Sequence, residues 1–346
     1  MGNAVLDVKK AMFSPAEAST MGVDHLHRME DNKHRSMPLP VDKIGTYFAH
    51  LMPGEICGVE AQTHNYKTGF MNMWEHGLAA HLNGCGRGHE AIVHVDVENT
   101  VEGLLVEEIA RGSGNTVADI SRGNIRDWDK VIQAAANIAG INIYRIANSL
   151  GEDNVPDLYL SNIYRATNYL SSGEMLGEKV KIACIFVDYL QALPIDPEAQ
   201  EASKNYETQR RIQVRQDVYR LRRMAQYFEC PIVVGVQAKQ VLTGHLAPNM
   251  LIPGMYDGEE TSAIAQRFDR LISLWMPKTS FSVGKRIEYG NVGFDIAENT
   301  LLVRVLKQRG GLPSGRWWVC NINFATNRIA PIEENRVSSQ GGCREN

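Results

Sequence analysis

Two segments of the chain hold residue types that handle phosphate. In Glu60-Ala61-Gln62-Thr63-His64-Asn65-Tyr66-Lys67-Thr68, a lysine and a hydroxyl residue stand together between an apolar run, Glu55 to Val59, and a stretch of helical spacing, Thr68 to Leu82. In that setting backbone amides and a helix amino terminus cradle phosphates, a lysine neutralises them and the next hydroxyl takes Mg²⁺. Lys67 and Thr68 fit the last two roles, with Ala61 to Tyr66 as the cradle. The usual glycines are missing: Tyr66 precedes Lys67, and no glycine lies between Gly58 and Gly69. Tyr66 is therefore expected to strain the loop and weaken the site, although Asn65 tolerates positive φ better than most residues. On this motif alone an ordinary strand-to-helix turn is the simpler reading.

The second segment is Lys181-Ile-Ala-Cys-Ile-Phe-Val-Asp188, a nearly unbroken apolar run that ends in a carboxylate. A strand covered by helices on both faces reads as such a run, and ligands of open α/β sheets sit beyond the strands' carboxyl ends. Asp188 thus stands where the Mg²⁺ of a nucleotide would be held, or else is a capping acid on a core strand.

Other candidates carry less. The six cysteines are scattered and form no CxxC pair, and His25, His27, His34 and His89 lack zinc-ligand spacing. No metal beyond a nucleotide-bound one is expected, and the thiols suit a reducing, cytoplasmic setting. Gly84, Gly86 and Gly88 precede a strand, which is the wrong context for a dinucleotide fingerprint. Trp317 and Trp318 would point to opposite faces of a strand, so core packing is favoured over base stacking. Arg210, Arg211, Arg215, Arg220, Arg222 and Arg223 crowd one helical segment and could either contact phosphates or form a plain surface face.

These residues need a sheet to position them. Apolar runs alternate with helical stretches: Glu55 to Glu60, Thr68 to Leu82, Ala91 to Val97, Thr100 to Arg111, Ile141 to Ile146, Leu158 to Leu170, the Asp188 strand, Glu207 to Phe228 and Pro231 to Gln237. Such alternation predicts an α/β fold with a mainly parallel central sheet flanked by helices. A helical turn (Thr261 to Phe268), a strand (Arg270 to Trp275) and two β-rich runs (Leu301 to Leu306, Arg316 to Phe324) follow, the last two joined by a hairpin-type loop at Gly310 to Pro313. Residues 1–37 read as a linker with one helix, 38–332 as the compact domain and 333–346 as a disordered polar tail. No apolar stretch approaches a membrane span, and a net charge of −4 gives no global pull toward nucleic acid, so any such binding must be local.

The order of motifs resembles the carboxyl-terminal motor domain of the DnaB family of replicative helicases, a RecA-like P-loop NTPase. The resemblance runs from Pro38 to about residue 329. Pro53-Gly54-Glu55 precedes the first strand as in the family, and Glu60 to Thr68 fall on its phosphate loop. His94-Val-Asp-Val-Glu98-Asn resembles its Ser-Leu-Glu-Met segment, and Val187-Asp-Tyr-Leu-Gln191 its Walker B signature. Pro231 to Gln237 resembles the next strand, with Val236 in place of a hydroxyl residue. Glu260 to Gln266 with Asp269 resembles a later segment in which Ala265 and Arg267 replace acids, and Lys307-Gln-Arg-Gly310 resembles the Lys-Gln-Arg-Asn-Gly stretch.

The resemblance implies an ATP- and Mg²⁺-dependent motor, a homo-oligomer in the form of a hexameric ring, acting on single-stranded DNA in replication. It implies that Lys67 contacts the β- and γ-phosphates, Thr68 and Asp188 hold Mg²⁺, Glu98 activates water, Gln237 senses the γ-phosphate, and Arg309 with Lys307 acts on a neighbouring subunit's nucleotide. Glu98 could equally cap the helix starting near Thr100. The segments expected to face a ring channel, about 192–208 and 241–259, are not basic. Two rivals stay open: a RecA-fold ATPase for recombination, loading or defence that does not unwind, and a DNA-binding or structural subunit with a decayed site.

Overall fold

In the computed structural model the described residues are 13–31, 36–151, 157–195, 206–239, 251–258, 264–289, 292–309 and 314–335. The chain divides into two units, Met1–Ser36 and Met37–Asn346. The first holds helix α1 (Pro15–Asp31). Its start is a reciprocal capping box: the Glu17 amide donates to Ser14 Oγ at 3.2 Å and the Ser14 amide to Glu17 Oε2 at 2.7 Å, with Pro15 at the first helical position.

The second unit is built on a nine-stranded sheet. Strands β1 (Ile56–Ala61), β2 (Ala91–Thr100), β3 (Ile143–Asn148), β4 (Ile182–Asp188), β5 (Ile232–Gln237) and β6 (Arg270–Trp275) run parallel. Between β6 and the next sheet strand lies a separate two-stranded hairpin, β7 (Arg286–Tyr289) and β8 (Val292–Asp295). Strands β9 (Thr300–Gln308), β10 (Trp317–Asn323) and β11 (Arg328–Asn335) then extend the sheet antiparallel, giving the order β11-β10-β9-β6-β1-β5-β4-β2-β3. The expected mainly parallel α/β architecture is what forms, with one antiparallel wing.

The continuous apolar strands are buried on both faces, as their composition requires: every residue of β1 and β4 is buried. Cys57, Val59 and Ala61 join Cys184 and Phe186 in a core with α3 (Lys67–Gly84), whose Phe70 and Trp74 are fully buried. Ile56, Ile185 and Val187 point the other way, into a core with α7 (Leu160–Ser171) and α8 (Tyr206–Tyr227). Period-two alternation thus loads two helical layers from one set of strands. The smaller helices α2 (Ile44–Phe48), α4 (Val101–Ser113), α5 (Val117–Ser121), α6 (Trp128–Ala139) and α9 (Ile264–Arg267) complete the unit.

Two features differ from the sequence expectations. The hairpin β7–β8 was not foreseen; it covers β9 and β10 with Ile287, Tyr289 and Phe294 around Trp275, Leu302 and Trp317. Strand β11 carries the chain to Asn335, so Glu333, Glu334 and Asn335, expected to begin a disordered tail, pair with β10 and satisfy their backbone there. Of the helical turn expected over Thr261 to Phe268, α9 (Ile264–Arg267) forms, and residues 261–263 lie outside the described residues. Trp317 and Trp318 do face opposite ways: Tyr289 meets the first edge-on at 4.5 Å, and Tyr47 the second at 5.2 Å. The loop at Gly310 to Pro313 lies outside the described residues.

Candidate functional site

The carboxyl ends of β1, β2, β4 and β5 open onto a cleft of about 650 Å³, walled by Gln62 to Gly69 with Glu98, Tyr189, Gln237, Lys278 and Phe324. Strand β1 delivers the loop, and α3 begins at Lys67, so the helix amino terminus points into this space. Tyr66, the residue before the helix, provides no side-chain cap for those amides.

Asp188, buried at the end of β4, gathers the loop's two functional residues. Thr68 Oγ1 donates to Asp188 Oδ2 at 2.6 Å, and Lys67 Nζ lies 3.3 Å from Asp188 Oδ1. Burial lowers the Lys67 pKa, while the Asp188 carboxylate opposes that shift. The same ammonium sits 3.5 Å from the centre of the Tyr189 ring. Tyr189 in turn donates its hydroxyl to Glu98 Oε1 at 3.1 Å, so one tyrosine touches both Lys67 and the carboxylate across the cleft. Gln237 donates from Nε2 to Thr63 Oγ1 at 2.8 Å. Its backbone is locked by Gln191, which accepts from the Gln237 amide at 3.0 Å and donates to its carbonyl at 2.9 Å.

The loop takes the shape its sequence seemed to resist. His64 and Tyr66 both adopt positive φ, at 63° and 64°. Asn65 secures the loop by accepting the Met276 amide at 2.7 Å and donating to the Thr63 carbonyl at 3.0 Å. The Tyr66 ring leans over Gly69, meets Phe324 edge-on at 5.8 Å and donates its hydroxyl to Asn327, which also donates to the Gly69 carbonyl at 3.2 Å. A Cβ on Gly69 would lie 2.5 Å from that ring. The tyrosine replaces a turn glycine by anchoring to the β10–β11 turn, and Gly69 provides the room.

Lys67, Thr68, Glu98, Asp188 and Gln237 therefore share one cleft, and Lys307 and Arg309 do not. Register places Lys307 opposite Leu271, near the amino end of β6, whereas the cleft lies at the carboxyl ends of the parallel strands. Lys307 donates to the carbonyls of Ala265 and Gln266, both at 2.9 Å. Arg309, half exposed, pairs with Asp269 at 3.0 Å. The α8 arginines also divide. Arg210 is buried and donates to the Gln191 and Leu193 carbonyls, and Arg222 donates to Asp269 and the Arg267 carbonyl, so these two brace the fold. Arg211, Arg215 and Arg223 are exposed. The stretches expected to line a ring channel fall largely outside the described residues.

Sequence reasoning missed Tyr189, Gln191 and a buried charge network beneath the cleft. Thr100 Oγ1, not Glu98, caps α4. Among the described residues Glu75, His76 and Glu108 bring donor atoms within cation-binding distance, yet the Arg145 guanidinium already occupies both carboxylates, 3.4 Å from Glu75 and closer to Glu108. The oxygen donors of Thr68 and Asp188 are the kind Mg²⁺ takes, and Asp188 Oδ1 accepts no hydrogen bond but faces the Lys67 ammonium at 3.3 Å, a place a cation already suits, so the pair fits a nucleotide-bound ion.

No family profile and no curated protein matches the sequence. The fold does match solved structures. The ATPase domain of G40P superposes with a TM-score of 0.68 at 15% identity, covering 93% of this chain and all of that domain. A DnaB-like replicative helicase, solved to show its interactions with primase, gives a TM-score of 0.63 at 15% identity over 86% of this chain. The chain spans 63% of that helicase's length. This chain thus has the RecA-like α/β fold of DnaB-type helicase ATPase domains. Among the described residues no helix is long and apolar enough to cross a membrane.

Proposed function

We propose that the chain is an ATP-hydrolysing motor of the DnaB helicase type, acting on single-stranded DNA as a hexameric ring in the cytoplasm. The observation that carries this reading is the convergence of Lys67, Thr68, Asp188, Glu98 and Gln237 on one cleft at the carboxyl ends of four strands. Phosphoryl transfer to water needs charge neutralisation and an oriented nucleophile, and these residues divide that work. Lys67 would leave Asp188 for the β- and γ-phosphates, and Thr68 with Asp188 would hold Mg²⁺, whose charge would screen the phosphates. Glu98, tethered by Tyr189, takes the proton of the attacking water, and Gln237 contacts the γ-phosphate. Arg309 and Lys307, at the other end of the strands, serve the neighbour's site.

The test is phosphate release by purified protein with and without single-stranded DNA, beside strand separation. Stimulated hydrolysis with unwinding supports the motor. Hydrolysis without unwinding supports a RecA-fold ATPase of the recombination, loading or defence kind, and neither activity supports a decayed subunit. Lys67→Ala should lose nucleotide affinity, while Glu98→Gln should keep it and lose hydrolysis; an unchanged rate in Glu98→Gln removes the general-base assignment.

A further inference from the structure

Strand β2 carries polar residues where a buried strand should be apolar. His94 and Asp96, two apart and so on one face, are 0% and 1% exposed, and both point toward α3. Buried charges persist only when paired, and these are. Glu75 of α3, itself fully buried, lies with Oε2 2.6 Å from His94 Nδ1; the other imidazole nitrogen is 4.0 Å from Asp96 Oδ2. Burial alone would lower the His94 pKa, but Glu75 first and Asp96 second raise it to about 10. Burial alone would raise the two carboxylates, yet the His94 charge, with Arg145 on Glu75 and Asn99 on Asp96, holds both below their ordinary values. The three groups follow one another as Glu75, His94 and Asp96, with a short Glu75–His94 contact and a longer His94–Asp96 one in which His94 Nε2 makes no hydrogen bond.

Asp96 uses its remaining valences on the turn that follows. Its Oδ1 accepts the Glu98 amide at 2.9 Å and the Asn99 amide at 2.7 Å, and its Oδ2 accepts the Asn99 side-chain amide at 2.9 Å. This is a side chain holding its own backbone two and three residues on, with a charged acceptor in place of a neutral one. The turn would otherwise be loosely held, since Glu98 and Asn99 are exposed and β2 leaves its ladder with β3 between Val95 and Thr100, with Val97 alone of the three side chains before Thr100 still resting on the core.

We propose that Asp96 is a positioning residue, whose buried carboxylate, backed by His94 and Glu75, fixes the strand-end turn and aims Glu98 into the cleft. The same chain ties Glu98 to α3, the helix that begins with Lys67 and Thr68, so the water-activating carboxylate and the phosphate-binding helix are held at one spacing. This inference rests on the ATPase reading for its functional consequence but not for its geometry.

The test uses the full chain with Asp96→Ala and Asp96→Asn, beside Glu98→Gln. A misplacement of about 1 Å can cost on the order of a hundredfold in rate. Asp96→Ala should therefore lower kcat roughly 10- to 100-fold while the calorimetric Kd for ATP stays within about threefold of wild type. In Asp96→Asn one oxygen remains for the two amides, but its amide nitrogen faces the Asn99 amide and His94, so kcat should fall about three- to tenfold, again with Kd unchanged. Hydrogen exchange of the peptide spanning Glu98 and Asn99 should lose protection in Asp96→Ala. A folded Asp96→Ala with wild-type kcat overturns the proposal; if that variant does not fold, wild-type kcat in Asp96→Asn does. If the wild-type protein hydrolyses no ATP, the ATPase reading fails by itself, and unchanged exchange in the variants then separately overturns the clamp.

Discussion

Replacing Tyr66 by glycine sets two local effects against each other, and their sizes give the answer. The native φ of 64° and ψ of 23° lie in the left-handed region, which costs a non-glycine residue about 1–2 kcal/mol. Glycine removes that strain but loses roughly 0.5–1 kcal/mol of backbone entropy, leaving a gain of ~0–1.5 kcal/mol. Against it stand the edge-on pair with Phe324, worth about 0.5–1.5 kcal/mol, and the hydroxyl bond to Asn327, worth about 0.5–1.5 kcal/mol. Burial of part of a large ring adds ~1–2 kcal/mol. Tyr66→Gly should therefore destabilise the domain by roughly 0.5–5 kcal/mol, and Tyr66→Phe, which loses the hydroxyl alone, by roughly 0.5–1.5 kcal/mol. Denaturant titration of the three proteins measures both. ATP binding should weaken about two- to fivefold in Tyr66→Gly, because a loop already in the required shape loses only its anchor. Strain at this position would make the site weaker than a glycine-bearing one, which is the expectation the bare sequence suggests. A Tyr66→Gly protein that is more stable and binds ATP more tightly than wild type would refute the anchoring account and restore the strain account.

Three further outcomes are expected. Gly69→Ala places a Cβ 2.5 Å from the Tyr66 ring and should cost about 1–3 kcal/mol in wild type, yet be neutral or stabilising in Tyr66→Gly; equal effects in a double-mutant cycle would deny the coupling. Glu60, inward-facing on β1, has its pKa raised to about 8 by burial and then by the Asp257 carboxylate, so the folded state binds the extra proton and stability falls as pH climbs from Glu60's ordinary range through about 8. The loss is at most ~1.4 kcal/mol per pH unit, and melting curves of Glu60→Gln should fall less steeply than wild type between pH 5 and 8. Arg309→Ala protein, which keeps its own Lys67 and Glu98, mixed with Lys67→Ala protein, which keeps Arg309, should regain part of the activity; mixtures that stay inactive despite subunit exchange seen by native mass spectrometry would count against a shared site.

What the sequence reveals and what it hides separate along physical lines. The Asp188 strand and its partners are legible because burial on both faces leaves a continuous apolar run, and an acid closing such a run is conspicuous. The hairpin β7–β8 alternates over only four residues per strand, too short for periodicity to stand out from loop composition. At Tyr66 the local rule anticipates the positive φ that the position demands, whereas the side chain's partners Phe324 and Asn327 are brought in by the far end of the sheet and leave no local mark. Arg210 misleads in the same way, since nothing in a run of arginines marks the one that turns inward to two carbonyls of the turn after β4. His94 and Asp96 are the instructive case. Two polar residues at alternate positions of an otherwise apolar strand, His-Val-Asp-Val, already imply buried charge, and buried charge implies partners. Their spacing could have announced a network; only the fold could reveal that Glu75 and Arg145, on other elements, complete it. Residues that touch phosphate are thus constrained by chemistry that leaves a local signature, whereas residues that hold them in place are constrained by whichever neighbour the topology supplies.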